Sequence, residues 1–244
     1  MKRIIFIILI AHILIYKLNA QVIDNCSDCS NQIVSNEQIK EKSTDELQLL
    51  INEIYARKGY NFKDLRFVEY FSNQNWYRPA KNNNEIKLNE IENQNVNIFK
   101  ERIKYLDLQR KELINQIKNF KKYVLANDSI YLRKQFEFKT KDNYDKENKD
   151  LRSVLNKINL DDIHWYKNKG LYKVLIDNGF VIIEHSIRIH GNNIDLQLNQ
   201  MSHSEIIEGF DAYTDYRSEI EYMLEWQFEF SNGRLKFINI IGAN

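Results

Sequence analysis

The sequence predicts an α+β fold: a small helical N-terminal domain, a long connecting helix, and a C-terminal antiparallel sheet with short helices on one side. Three observations predict it. Apolar residues recur at helical spacing from Leu47 to Val124, and they alternate with polar residues from Tyr222 to Phe230. A single proline and seven glycines leave few breaks in either pattern. With 244 residues, 43% of them hydrophobic and 12% aromatic, the chain has ample material for packed cores.

Lys2 and Arg3 precede the thirteen-residue apolar run Ile4 to Tyr16, and Lys17, Leu18, Asn19 and Ala20 come after it. That order is the charged, apolar, small-residue order of a secretory signal peptide over residues 1–20, with cleavage expected after Ala20. The run is short of the roughly 20 residues that span a bilayer, which disfavours an uncleaved anchor. A lipid anchor on Cys26 is disfavoured by Asp24 and Asn25 before it. The expected location is therefore secreted or periplasmic, with no stable membrane span after cleavage. In that oxidising setting Cys26 and Cys29 read as a local disulfide, and so short a loop contributes about 2 kcal/mol. A redox-active pair needs a strand and a helix N-terminus around it, and zinc needs a second ligand pair; neither surrounds this C-S-D-C.

Residues 21–42 read as a polar tether with a short helix near Glu37. A capping box, Ser43 with Glu46, then opens a helix whose apolar face is Leu47, Leu50, Ile51, Ile54 and Tyr55. Gly59 stands where a left-handed C-terminal cap is wanted, so Tyr60 is expected to fold back over Tyr55 and Ile54. Arg57 and Lys58 complement the negative helix end. Asp64 caps a second short helix with Leu65, Val68 and Phe71 on its buried side, and Trp76 is the expected aromatic anchor of this small domain.

The residues Tyr55, Ala56, Arg57, Lys58 and Gly59, then Tyr60 and Phe62, Tyr70 and Phe71, Trp76, Tyr77 and Pro79, and finally Leu88, Glu92 and Asn95, together resemble the YARHG domain of exported bacterial proteins. The resemblance covers residues 43–103 and implies an extracellular domain of uncharacterised function attached to varied partner domains. The chain departs from the pattern at Lys58, where the family's namesake motif has histidine. A lysine neither exchanges protons readily near neutral pH nor binds metal easily, so the substitution favours a structural role for the motif. Arg57 could hold a buried carboxylate or backbone carbonyls through its planar fork, or bind an anionic ligand, with the structural option favoured.

From Leu88 a long helix is expected, with Val96, Phe99, Ile103, Leu106, Leu113, Ile117, Phe120 and Val124 along one seam. Unbroken to Leu125 it would span roughly 55 Å. Its flanks lack a clean opposite-charge code, so packing within the chain is favoured over a homodimeric coiled coil. Residues 104–147 are the helix end and a linker, with the charged stretch Lys139 to Asp150 as the boundary. Residues 148–244 form the sheet domain: a helix around Leu151 to Ile158, a hairpin over residues 172–189 turning at I-D-N-G-F, a strand at Ile194 to Leu198, a helix at Ser204 to Phe210, and two final strands turning at Ser231 to Gly233. About five strands result, one face apolar and the other acidic.

The net charge of +1 argues against nucleic acid, although the basic segment Arg57 to Lys81 and the acidic segment Glu184 to Glu229 differ in sign. His185 and His190 lie an odd number apart on one strand and so face opposite ways, and His164 and His203 are isolated. No nucleophile elbow, zinc helix or phosphate loop is present, and Glu221, Glu225 and Glu229 read as a solvated strand face. No catalytic residue, metal site or cofactor is expected. Three classes remain: a cell-envelope binding module, in which Arg57, Tyr60, Trp76, Tyr77 and Arg78 offer rings and cations to cell-wall glycan, anionic polymer or another envelope protein; a structural spacer displaying the acidic C-terminal domain; and, least favoured, an envelope hydrolase.

Overall fold

The computed structural model describes residues 22–139, 145–179, 181–201, 204 and 221–243. The leader expected over residues 1–20, His203 and, beyond Ser204, the helix expected over 204–210 lie outside the described residues. The chain divides after Leu106 into two compact units. The fold class is α+β as the sequence predicts.

In the first unit α1 (Asn36–Ile39) precedes α2 (Thr44–Arg57), α3 (Leu65–Ser72), a 3-10 turn at Asn83–Glu85 and the first half of α4 (Glu90–Leu125). The capping box forms: the Ser43 hydroxyl accepts from the Glu46 N–H at 3.3 Å, and the Ser43 N–H donates to the Glu46 carboxylate at 2.9 Å. The cap contributes about 1 kcal/mol, whereas each fully buried leucine or isoleucine contributes about 1.5–3 kcal/mol. Packing therefore holds α2 more than its cap does. Leu47, Leu50, Ile51 and Ile54 bury against Val96 and Phe99 of α4, together with Val34, Ile39, Cys26 and Cys29.

That last group corrects the expected tether. Residues 22–42 carry part of the core: the segment packs under α4, and the Cys26–Cys29 disulfide (Cα–Cα 4.9 Å) is buried with it, closing only its own short loop. The buried side of α3 also differs from expectation. Leu65 is 80% exposed and Val68 half-buried, while Phe71 is fully buried. Phe62 stacks on Phe71 with ring centroids 5.0 Å apart and leans on Phe67 at 5.8 Å, so the larger aromatic faces set the rotation of this short helix.

The second unit contains the rest of α4, α5 (Ser129–Phe136), α6 (Asp145–Lys157) and six strands: β1 (His164–Tyr166), β2 (Lys169–Asp177), β3 (Ile182–His190), β4 (Asn193–Met201), β5 (Tyr222–Ser231) and β6 (Arg234–Ala243). They form one antiparallel meander in chain order, one strand more than expected because the short β1 pairs with the start of β2. Ile187, Leu196 and Trp226 sit opposite one another across β3, β4 and β5 and point into the core. Leu113, Ile117, Phe120 and Val124 of α4 and Leu151, Val154 and Leu155 of α6 close that core. The seam of α4 is thus occupied within the chain: Val96 and Phe99 in the first unit, Leu113 to Val124 in the second. Among the described residues no helix is long and apolar enough to cross a membrane.

Candidate functional site

The Tyr55 to Gly59 signature ends α2. Gly59 has φ +86°, its N–H donates to the Ala56 carbonyl at 2.8 Å, and the Tyr60 N–H donates to the Tyr55 carbonyl at 3.0 Å. This pair of bonds closes the helix, and the Tyr55 and Tyr60 rings meet edge to face at 5.8 Å across it. The turn sends the chain back beside the helix. Tyr60, Phe62 and Phe67 then face Tyr55 and, with Gln48, Ile51 and Asn52 on the α2 side, enclose an open groove of about 630 Å³. Lys63, Asp64 and Arg66 form its other rim. The Asp64 carboxylate is engaged, accepting from the Arg66 N–H at 2.9 Å as the cap of α3.

The five residues expected to bind divide among different roles. Tyr60 lines the groove. Arg57 is held by Glu53, its Nε at 2.9 Å and Nη2 at 2.6 Å from one carboxylate oxygen, and its guanidinium lies 4.2 Å over the Trp76 ring. Arg57 so satisfies a buried acid and covers a face of Trp76, which is 36% exposed. Tyr77 is buried at 7% exposure and donates its hydroxyl to the Tyr60 carbonyl at 2.7 Å. It is therefore scaffold, and that same burial raises its pKa above the ordinary tyrosine value. Arg78 is exposed with its guanidinium donating to the carbonyls of Asn75 and Tyr77 at 3.0 and 2.7 Å.

Lys58 does more than complement a helix end. Its Nζ is 2.9 Å from the buried carboxylate of Glu92, whose other oxygen accepts from the Asn89 N–H at 2.8 Å. One turn on, Asn95 is fully buried: its Oδ1 accepts from the Val34 N–H at 2.8 Å, and its Nδ2 donates to the carbonyls of Cys29 at 2.9 Å and Gln32 at 2.8 Å. The Leu88, Glu92, Asn95 pattern thus fastens two chain segments to α4. The sequence shows these residues without their roles, because each role rests on a partner tens of residues away. Lys63 and Arg66 were legible only as part of the basic run from Arg57 to Lys81.

In the second unit His185 is buried at 3% exposure on the core face, and His190 is exposed, as the odd spacing requires. His185 Nε2 lies 3.0 Å from the Ser153 Oγ, while its Nδ1 is buried without a partner. Burial, seconded by the Lys157 charge, holds its pKa below the ordinary 6.5. With the folded value depressed, the unfolded chain takes up the proton first on acidification, so the neutral ring's stabilisation is full above the unfolded pKa and is lost as pH falls through the folded one. Urea denaturation should therefore show a lower midpoint at about pH 5 than at about pH 7.5. His185→Gln should lose less of its midpoint over that interval; an equal loss would remove His185 as a cause. On the opposite face Gln227 donates to the Glu225 carboxylate at 2.8 Å, and burial with Glu225 nearby raises the Asp195 pKa. Among the described residues no group of His, Cys, Asp and Glu is arranged to hold a metal.

No curated protein and no solved structure matches the chain. A family model does match the segment that folds the signature, the groove and the Asn95 anchor into one unit, starting upstream of the capping box and so taking in the disulfide segment: residues 25–102 match the YARHG domain, a small extracellular domain.

Proposed function

We propose that this is an exported binding protein of the cell envelope, non-catalytic, whose ligand lies in the groove between α2 and the 60–67 segment. The observation that carries the reading is the groove itself. It is large enough for a small molecule or a few sugar units, walled by tyrosine and phenylalanine rings, and rimmed by amides and cations. The extracellular character of the YARHG domain and the disulfide support export, with a leader over residues 1–20 removed near Ala20. The Arg57 and Trp76 stack, Tyr77 and the Lys58 and Glu92 pair serve as the frame that fixes the groove's walls.

Retention of the protein on isolated cell-wall material tests this. Asn52→Trp, on a partly exposed position of α2 whose side chain accepts from Gln48, would fill the groove and should abolish retention, with circular dichroism unchanged. Arg78→Ala, outside the groove, should be retained as the parent is. Equal retention of the Asn52→Trp protein would show that the groove is not the binding surface.

A further inference from the structure

We infer that the groove of the first unit takes an acidic glycan, a sugar chain bearing carboxylates. This rests on the reading of the groove as the binding surface and adds the chemical class of its occupant. Three features of the walls converge. The rings of Tyr60, Phe62 and Phe67 present apolar surface of the kind that the C–H faces of a sugar cover. On the α2 rim the Gln48 amide donates to Asn52 Oδ1 at 3.1 Å, leaving the Asn52 amide N–H groups and remaining lone pairs on both residues for hydroxyls.

The third feature decides the charge. Lys63 and Arg66 stand together on the opposite rim, exposed, and neither has a carboxylate partner among the described residues. The acid between them in sequence, Asp64, accepts from the α3 backbone as its cap. Arg66 lies 4.4 Å over the Phe67 ring, a stacking that orders the guanidinium yet leaves its edge N–H groups free for a carboxylate. An apolar ring wall, hydroxyl-binding amides and a rim in which Lys63 and Arg66 outnumber the capping Asp64 are matched jointly by a sugar acid. A neutral sugar leaves the cations without a partner. An acidic peptide can also meet the two cations, and its preference over the sugar is the competing outcome of the test below.

Isothermal titration of the full chain with a short oligogalacturonate, its carboxyl-reduced neutral counterpart, and an acidic peptide of equal charge tests the inference. The oligogalacturonate should bind at least about tenfold more tightly than the neutral sugar, and weaken as salt is added. Lys63→Ala and Arg66→Ala should each weaken it about tenfold while leaving the circular dichroism unchanged, since both side chains are exposed. Comparable binding of the neutral sugar, preference for the peptide, insensitivity to both substitutions, or no binding of oligogalacturonate would each overturn it. The groove reading is judged separately, by whether Asn52→Trp abolishes retention on cell-wall material.

Discussion

Replacing Gly59 with alanine is expected to destabilise the first unit by roughly 2–5 kcal/mol, read as a fall in its urea midpoint. Two costs add. The backbone sits at φ +86°, where an L side chain is disfavoured by about 1–2 kcal/mol. A Cβ there would also lie 2.8 Å from the Arg78 carbonyl oxygen and 3.4 Å from the Ala80 nitrogen. Those atoms cannot withdraw easily, because the Ala80 N–H donates to the Gly59 carbonyl at 2.7 Å and holds the two stretches of chain together. Gly59→Asn separates the costs. Asparagine tolerates the left-handed conformation, so it would recover most of the loss if conformation alone mattered; the close approach predicts that it recovers little. An alanine variant within about 0.5 kcal/mol of the parent would mean that the turn is not the keystone of this domain.

The parts of this fold that were legible in the sequence are those whose cause is local. Ser43 with Glu46, Asp64 before Leu65, and Gly59 after Arg57 each satisfy helix-end groups within a few residues, so spacing alone reveals them. Alternation from Tyr222 to Phe230 likewise announces a half-buried strand, and Trp226, Phe228 and Phe230 are buried on one face. The features that were not legible depend on distant partners. Leu65 reads as the inner face of α3 because it is apolar, yet the inner face is set by Phe62, which lies outside the helix. Cys26, Cys29, Val34 and Ile39 show no period, so the segment reads as a tether, although α4 covers it. The groove obeys the same rule: its rings were visible as a motif, while its cationic rim emerges only when the turn at Gly59 brings Lys63 and Arg66 opposite Gln48 and Asn52.

The disulfide segment supplies the second large effect. Asn95→Ala is expected to cost about 3–5 kcal/mol, because it strands one buried N–H and two carbonyls at about 1–3 kcal/mol for each group left unmatched. From a position 0% exposed, the amide of Asn95 bonds Val34, Cys29 and Gln32 to α4, spanning a sequence separation of 66 residues to Cys29. A short disulfide constrains only its own loop and cannot dock that loop on a helix. Asn95 does the docking. Substitution should then release residues 22–42 as a local unit, exposing Cys26 and Cys29, which are 1% and 2% exposed in the parent. A small thiol reductant should cleave the disulfide of the Asn95→Ala protein at least about tenfold faster than the parent's, since attack requires access to a sulfur. Asn95→Asp keeps one acceptor but loses both donors and buries a charge, so it should be no better. Equal reduction rates for parent and variants would show that the packing of Cys26, Val34 and Ile39 under Val96 and Phe99 docks the segment without the amide, and the anchoring role of Asn95 would fall.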